Sequence, residues 1–61
     1  MNIEEFKEKI TDKNIAQEII NGIQDESLKR TFEVFLLESD DPETWEILRE
    51  RLSGFLVKNQ P

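Results

Sequence analysis

Apolar residues recur along this chain at spacings of three and four, and the β-branched alternation of strands is missing. That period predicts helices throughout. The first spans about Asn2 to Ile10, with Asn2 as N-cap and Ile3, Phe6 and Ile10 on one narrow stripe. Glu5 and Lys9 are spaced for an i,i+4 ion pair. The apolar phase then slips. At about 100° per residue Ile15 lies about 140° around from Ile10, so one straight helix would split its own core. Thr11 and Asp12 are both good caps, which puts the break there. A second helix covers about Asp12 to Asn21. Its stripe of Ile15, Ala16, Ile19, Ile20 and Ile23 is broad enough to face two neighbours. Asn21-Gly22 is its stop, since both residues tolerate the left-handed conformation that often ends helices.

Asp25 or Ser27 caps a third helix running to about Glu38, with Leu28, Phe32, Phe35 and Leu36 as its core stripe. Val34 and Leu37 point the other way. Ser39-Asp40-Asp41 is a turn, and Asp41 is the N-cap of a fourth helix with Pro42 at its first position, where a missing N–H costs nothing. Glu43 in the first turn suits the helix dipole. Trp45, Leu48, Leu52, Phe55 and Leu56 form the fourth stripe, Gly54 falls within the helix or near its end, and residues 57–61 are expected to fray. Short connections favour antiparallel neighbours. The expectation is an all-α fold, a compact antiparallel bundle of three to four short helices forming one domain over 1–61.

Composition narrows the chemistry. There is no Cys and no His, which removes disulfides, thiolate metal sites, the commonest metal ligand and the usual general base. Ser27, Ser39 and Ser53 read as cap, turn or helix-surface positions rather than as nucleophiles. The i,i+4 carboxylate pairs Glu4–Glu8 and Glu46–Glu50 lack the histidines of a di-iron bundle. The stretch Glu38 to Glu43 is rich in oxygen ligands, but no register of it supplies both the Gly and the Glu of an EF-hand loop. No glycine-rich phosphate loop occurs. The reading is therefore of a protein that is not an enzyme and has no cofactor or metal. No apolar run reaches the ~20 residues of a membrane span, no signal peptide is evident, and the expected location is the cytoplasm.

Charge gives the chain a polarity. Between Arg30 and Arg49 lie six acids (Glu33, Glu38, Asp40, Asp41, Glu43 and Glu46) and no base, while acids and bases balance elsewhere. The whole formal charge of −6 thus falls in one segment. With a pI near 4.5 the chain should be repelled by nucleic-acid phosphates and anionic membranes.

The same segment holds three apolar residues outside the core stripes: Val34, Leu37 and Ile47. Val34 and Leu37 are either core residues of a helix buried on two sides or part of a surface patch. Ile47 is either a patch residue or a singly exposed one. As a patch rimmed by Glu33, Glu38, Asp40, Asp41, Glu43, Glu46 and Glu50, they suit a protein-binding surface. The expected function is a non-catalytic interaction module: a small acidic regulator or inhibitor, with the physical profile of bacterial or phage-encoded regulators, that binds another protein. Two alternatives use the same residues. Carboxylates along a face could imitate phosphates and occupy a basic groove, or Val34, Leu37 and Ile47 could close a homodimer.

Overall fold

The computed structural model describes residues 1–59, and within them the chain forms four helices and no strand. They are α1 (Ile3–Lys9), α2 (Lys13–Asn21), α3 (Glu26–Leu37) and α4 (Pro42–Lys58). Each begins on a side-chain cap. The side chains of Asn2, Asp12, Asp25 and Asp41 accept from Glu5, Ile15, Leu28 and Glu43 backbone N–H groups, so orphan donors of each first turn are satisfied. At α1 the cap is reciprocal. Asn2 Oδ1 accepts the Glu5 N–H at 2.9 Å while Glu5 Oε1 accepts the Asn2 N–H at 3.2 Å. Glu5 is turned back toward the helix start by this box, and no ion pair with Lys9 is found among the described residues. Asp25, not Ser27, caps α3.

The stop after α2 works differently from the expected left-handed cap. Gly22 stays right-handed at φ −83°. The end tightens instead into i→i−3 bonds, Gly22 N–H to the Ile19 carbonyl and Ile23 N–H to that of Ile20. This geometry carries Ile23 into the core. α4 runs through Lys58 and is capped by Asn59, whose side-chain amide donates to the Phe55 carbonyl at 2.9 Å. Of the tail expected to fray, Gln60 and Pro61 lie outside the described residues.

The helices pack in the order α2–α3–α4–α1, in a body 31 × 25 × 16 Å across. Ile10, Ala16, Ile20, Ile23, Phe32, Leu36, Leu48 and Leu52 form the buried core, and Ile19, Leu28, Phe35, Trp45, Phe55 and Leu56 pack against it. Phe32 and Phe55 meet edge to face with ring centroids 6.0 Å apart. The stripes read from spacing largely form this core, but Ile3 is exposed, and Phe6 and Ile15 are half-buried and stand outside the cluster.

Two polar residues break the pattern. Ser39 is a turn residue, but it is buried, and its hydroxyl donates to the Leu36 carbonyl at 2.5 Å. Ser53 lies on the buried side of α4, not on its surface, and its hydroxyl has no hydrogen-bond partner among the described residues. Gly54 also stands out. It is inside α4, has an ordinary helical φ, and a Cβ built on it would meet nothing within 4 Å. A mid-helix glycine costs about 1 kcal/mol relative to alanine, and no contact among the described residues requires one here.

Candidate functional site

The site expected from sequence lies on α3 and α4, and the packing of these two helices sets its shape. Their facing sides carry Phe32, Phe35, Leu48 and Phe55 into the core, which turns Val34 and Ile47 outward onto adjacent flanks. Val34 is 50% exposed, Ile47 46% and Leu37 80%, so all three are surface residues. Val34 and Ile47 line one shallow groove between the helices, together with Ser27, Arg30, Thr31, Phe35, Glu38 and Thr44. Leu37 stands outside that groove, one helical turn beyond Val34 and nearly fully exposed. α3 packs against both α2 and α4, and the apolar side chains it buries wholly or in part, Leu28, Phe32, Phe35 and Leu36, fall on one stripe, which leaves the back of the helix bare.

The acids are dispersed rather than gathered. Glu38 alone among them lines the groove. Glu33 and Glu43 are exposed and make no ion pair among the described residues. Asp41 is spent on the α4 cap, accepting the Glu43 N–H and the Thr44 hydroxyl. Glu50 lines a different cleft, at the far end of α4. Asp40 and Glu46 are paired with bases, Lys13 and Lys7 from other helices and Arg49 from α4 itself. Lys13 of α2 reaches Asp40 at 2.5 Å, beside a shallow hollow lined by Thr11, Pro42 and the half-buried Trp45. The hydrogen bond and charge of Lys13 hold the Asp40 carboxyl below its ordinary value. Lys7 of α1 lies 3.2 Å from Glu46 and Arg49 lies 2.5 Å from it. The hydrogen bond from Lys7, then that from Arg49, lowers the Glu46 carboxyl in the same way. The acidic run in the chain is therefore not a continuous unpaired strip on the surface.

Arg49 does more than pair with Glu46. Its Nε donates to the Ile10 carbonyl at 2.9 Å and its Nη2 to the Lys7 carbonyl at 2.6 Å. A cation on the carbonyls that end α1 gives Ile10 a partner, adds to the Ile10 N–H that the Lys7 carbonyl already accepts, and complements the helix dipole. The guanidinium, Lys7 and Glu46 thus bolt α1 to α4. Sequence reading missed this role. Arg49 showed only as the end of an acid run, and its partners lie 39 and 42 residues away.

No family model, curated protein or solved structure matches this chain. The site must be judged on its own geometry. Among the described residues no three acids converge to hold a metal, and no helix is long and apolar enough to cross a membrane.

A second cleft, broader and mostly apolar, opens where the start of α1, the end of α2 and the end of α4 converge. Ile3, Ile19, Ile23, Leu28, Phe55 and Val57 line it, with Glu50, Arg51, Gly54 and Lys58 along its α4 edge. Sequence reading missed this cleft: Ile3, read from spacing as part of the first core stripe, is exposed and lines the cleft instead.

Proposed function

We propose that this chain is a non-catalytic interaction module, a small acidic regulator or inhibitor that binds a partner protein through the groove between α3 and α4. The observation that supports it best is the shared exposure of Val34 and Ile47, side chains from two helices in one groove, with Leu37 exposed beside them. A single exposed apolar residue needs no explanation, but grouped ones offer a desolvated centre for association. Glu33, Glu38 and Glu43 nearby, which make no ion pair among the described residues of a chain of net charge −6, would steer a basic partner surface toward the groove. The same charge disfavours nucleic acid and anionic membrane as direct partners. A cytoplasmic setting, which a chain without cysteine fits, belongs to the same reading.

The test is affinity capture from the source cells with the wild-type chain and a Val34→Asp/Ile47→Asp variant side by side. A stoichiometric protein held by the wild type and lost by the folded variant supports the reading. Equal recovery by both overturns it. Retention that collapses with added salt yet ignores the two substitutions would favour phosphate mimicry instead.

A further inference from the structure

We propose that α4 pairs with α4 of a second copy, antiparallel, about a two-fold axis passing between Glu50 and Arg51. This goes beyond the partner reading, because the occupant is the chain itself and the seat is the outer face of α4. At about 100° per residue, Glu43, Ile47, Glu50, Arg51, Gly54 and Lys58 share one face of that helix, opposite the buried Leu48 and Leu52. The face is open to solvent: Ile47 is half exposed, the four charged residues are exposed, and beyond its own stretch of helix backbone nothing among the described residues lies within 4 Å of the place where a Gly54 Cβ would be.

The order of residues along this face is self-complementary. Two antiparallel helices centred between Glu50 and Arg51 place Ile47 level with the partner's Gly54, and Gly54 level with the partner's Ile47. An apolar knob thus meets a missing side chain twice. The same register sets Glu43 level with the partner's Lys58, and Lys58 with the partner's Glu43, an opposite-charge pair at each end. The charges beside the axis sum to zero. A parallel pair would instead set Glu43 against Glu43, Lys58 against Lys58 and align the helix dipoles. The pairing supplies a reason for Gly54 that the single chain lacks, since a glycine lets a second helix approach closely. One helix pair of this length lies at the low end of specific interfaces, so the dimer is weak and populates with concentration.

Sedimentation equilibrium from about 10 µM to about 1 mM tests it, on the wild type and on Gly54→Gln, Glu43→Lys and Glu43→Lys/Lys58→Glu. The expected result is a wild-type monomer–dimer equilibrium. Gly54→Gln should weaken it at least about tenfold while melting no lower by circular dichroism, because glutamine favours the helix and its Cβ has room. Glu43→Lys should weaken it as well, and the doubly exchanged chain should recover most of what Glu43→Lys lost. A wild type that stays monomeric throughout overturns the proposal. So does a dimer indifferent to Gly54→Gln, or a double exchange no better than Glu43→Lys alone. Gly54 lies outside the α3–α4 groove, so failure here is separable from failure of partner binding.

Discussion

Replacing Arg49 by methionine keeps the stem of the side chain and removes its fork. The two bonds to the Ile10 and Lys7 carbonyls are charge-assisted, and the side chain is only 21% exposed. Such bonds contribute about 1.5–3 kcal/mol each at best, less here because the freed carbonyls can turn to water. The dipole interaction adds about 0.3–1 kcal/mol, and the exposed, solvent-screened pair with Glu46 adds little. The expected loss is about 2–4 kcal/mol. A domain of this length holds roughly 3–9 kcal/mol in all, so the midpoint should fall by roughly 10–25 °C. The loss should also be local first. α1 has seven residues, too few to persist alone, and hangs on α4 through this bolt. Urea unfolding followed by Trp45 fluorescence gives the energy, and amide exchange gives the location. Arg49→Lys, whose ammonium cannot span both carbonyls, should lose about half as much. A methionine variant within about 0.5 kcal/mol of wild type, or one whose α1 amides stay as protected as those of α4, would refute the reasoning.

Other consequences can be checked with the same assays. Leu52 is fully buried between α4 and its neighbours, so Leu52→Ala should cost about 2–5 kcal/mol in urea; a silent substitution would mean the core face of α4 is wrongly placed. Ser53→Ala removes a buried hydroxyl without a partner and improves helix propensity, so the urea midpoint should rise by the equivalent of about 1–2 kcal/mol, and a fall would reveal a hidden partner. Val34→Asp and Ile47→Asp, at half-exposed positions, should each stay within about 1 kcal/mol of wild type, and wholesale unfolding by either would show that it is core. Asp40 and Glu46 have lowered carboxyl values in the folded chain, so the unfolded chain binds more protons once the pH drops below about 4.5. Stability from both pairs is present at neutral pH and is lost as the pH falls through the folded values. Glu46→Gln should flatten part of that acid limb, and an unchanged acid titration would dismiss the pair with Lys7 and Arg49.

Much of the bundle is written locally. Four caps, a proline at the start of α4 and the phase slip after Ile10 lie within a few residues of the bonds they govern, so spacing alone reveals three to four helices and most of the stripe each one buries. Such bonds run over i, i+3 and i+4, and any helix-forming chain with that order would make them. The candidate site was legible only in outline. That Val34, Leu37 and Ile47 miss the core stripes is visible in the order of residues, but whether a second helix covers them is not. Only the packing decides that they stay bare, since α3 contacts both α2 and α4 yet buries Phe32 and Leu36 rather than Val34 and Leu37.

Charge was the most deceptive feature. Six acids stand together in the chain, yet Lys13 reaches Asp40 across 27 residues, while Lys7 crosses from α1 to Glu46. The burial of Ser53 and the bolt made by Arg49 belong to the same class. Sequence by itself determined which helices form and which side of each is apolar, because neighbouring residues settle both. Tertiary structure alone decided which charges meet, which serine is sealed in and which apolar residues stay in water, because helix–helix packing brings distant residues together and local order does not encode those distances.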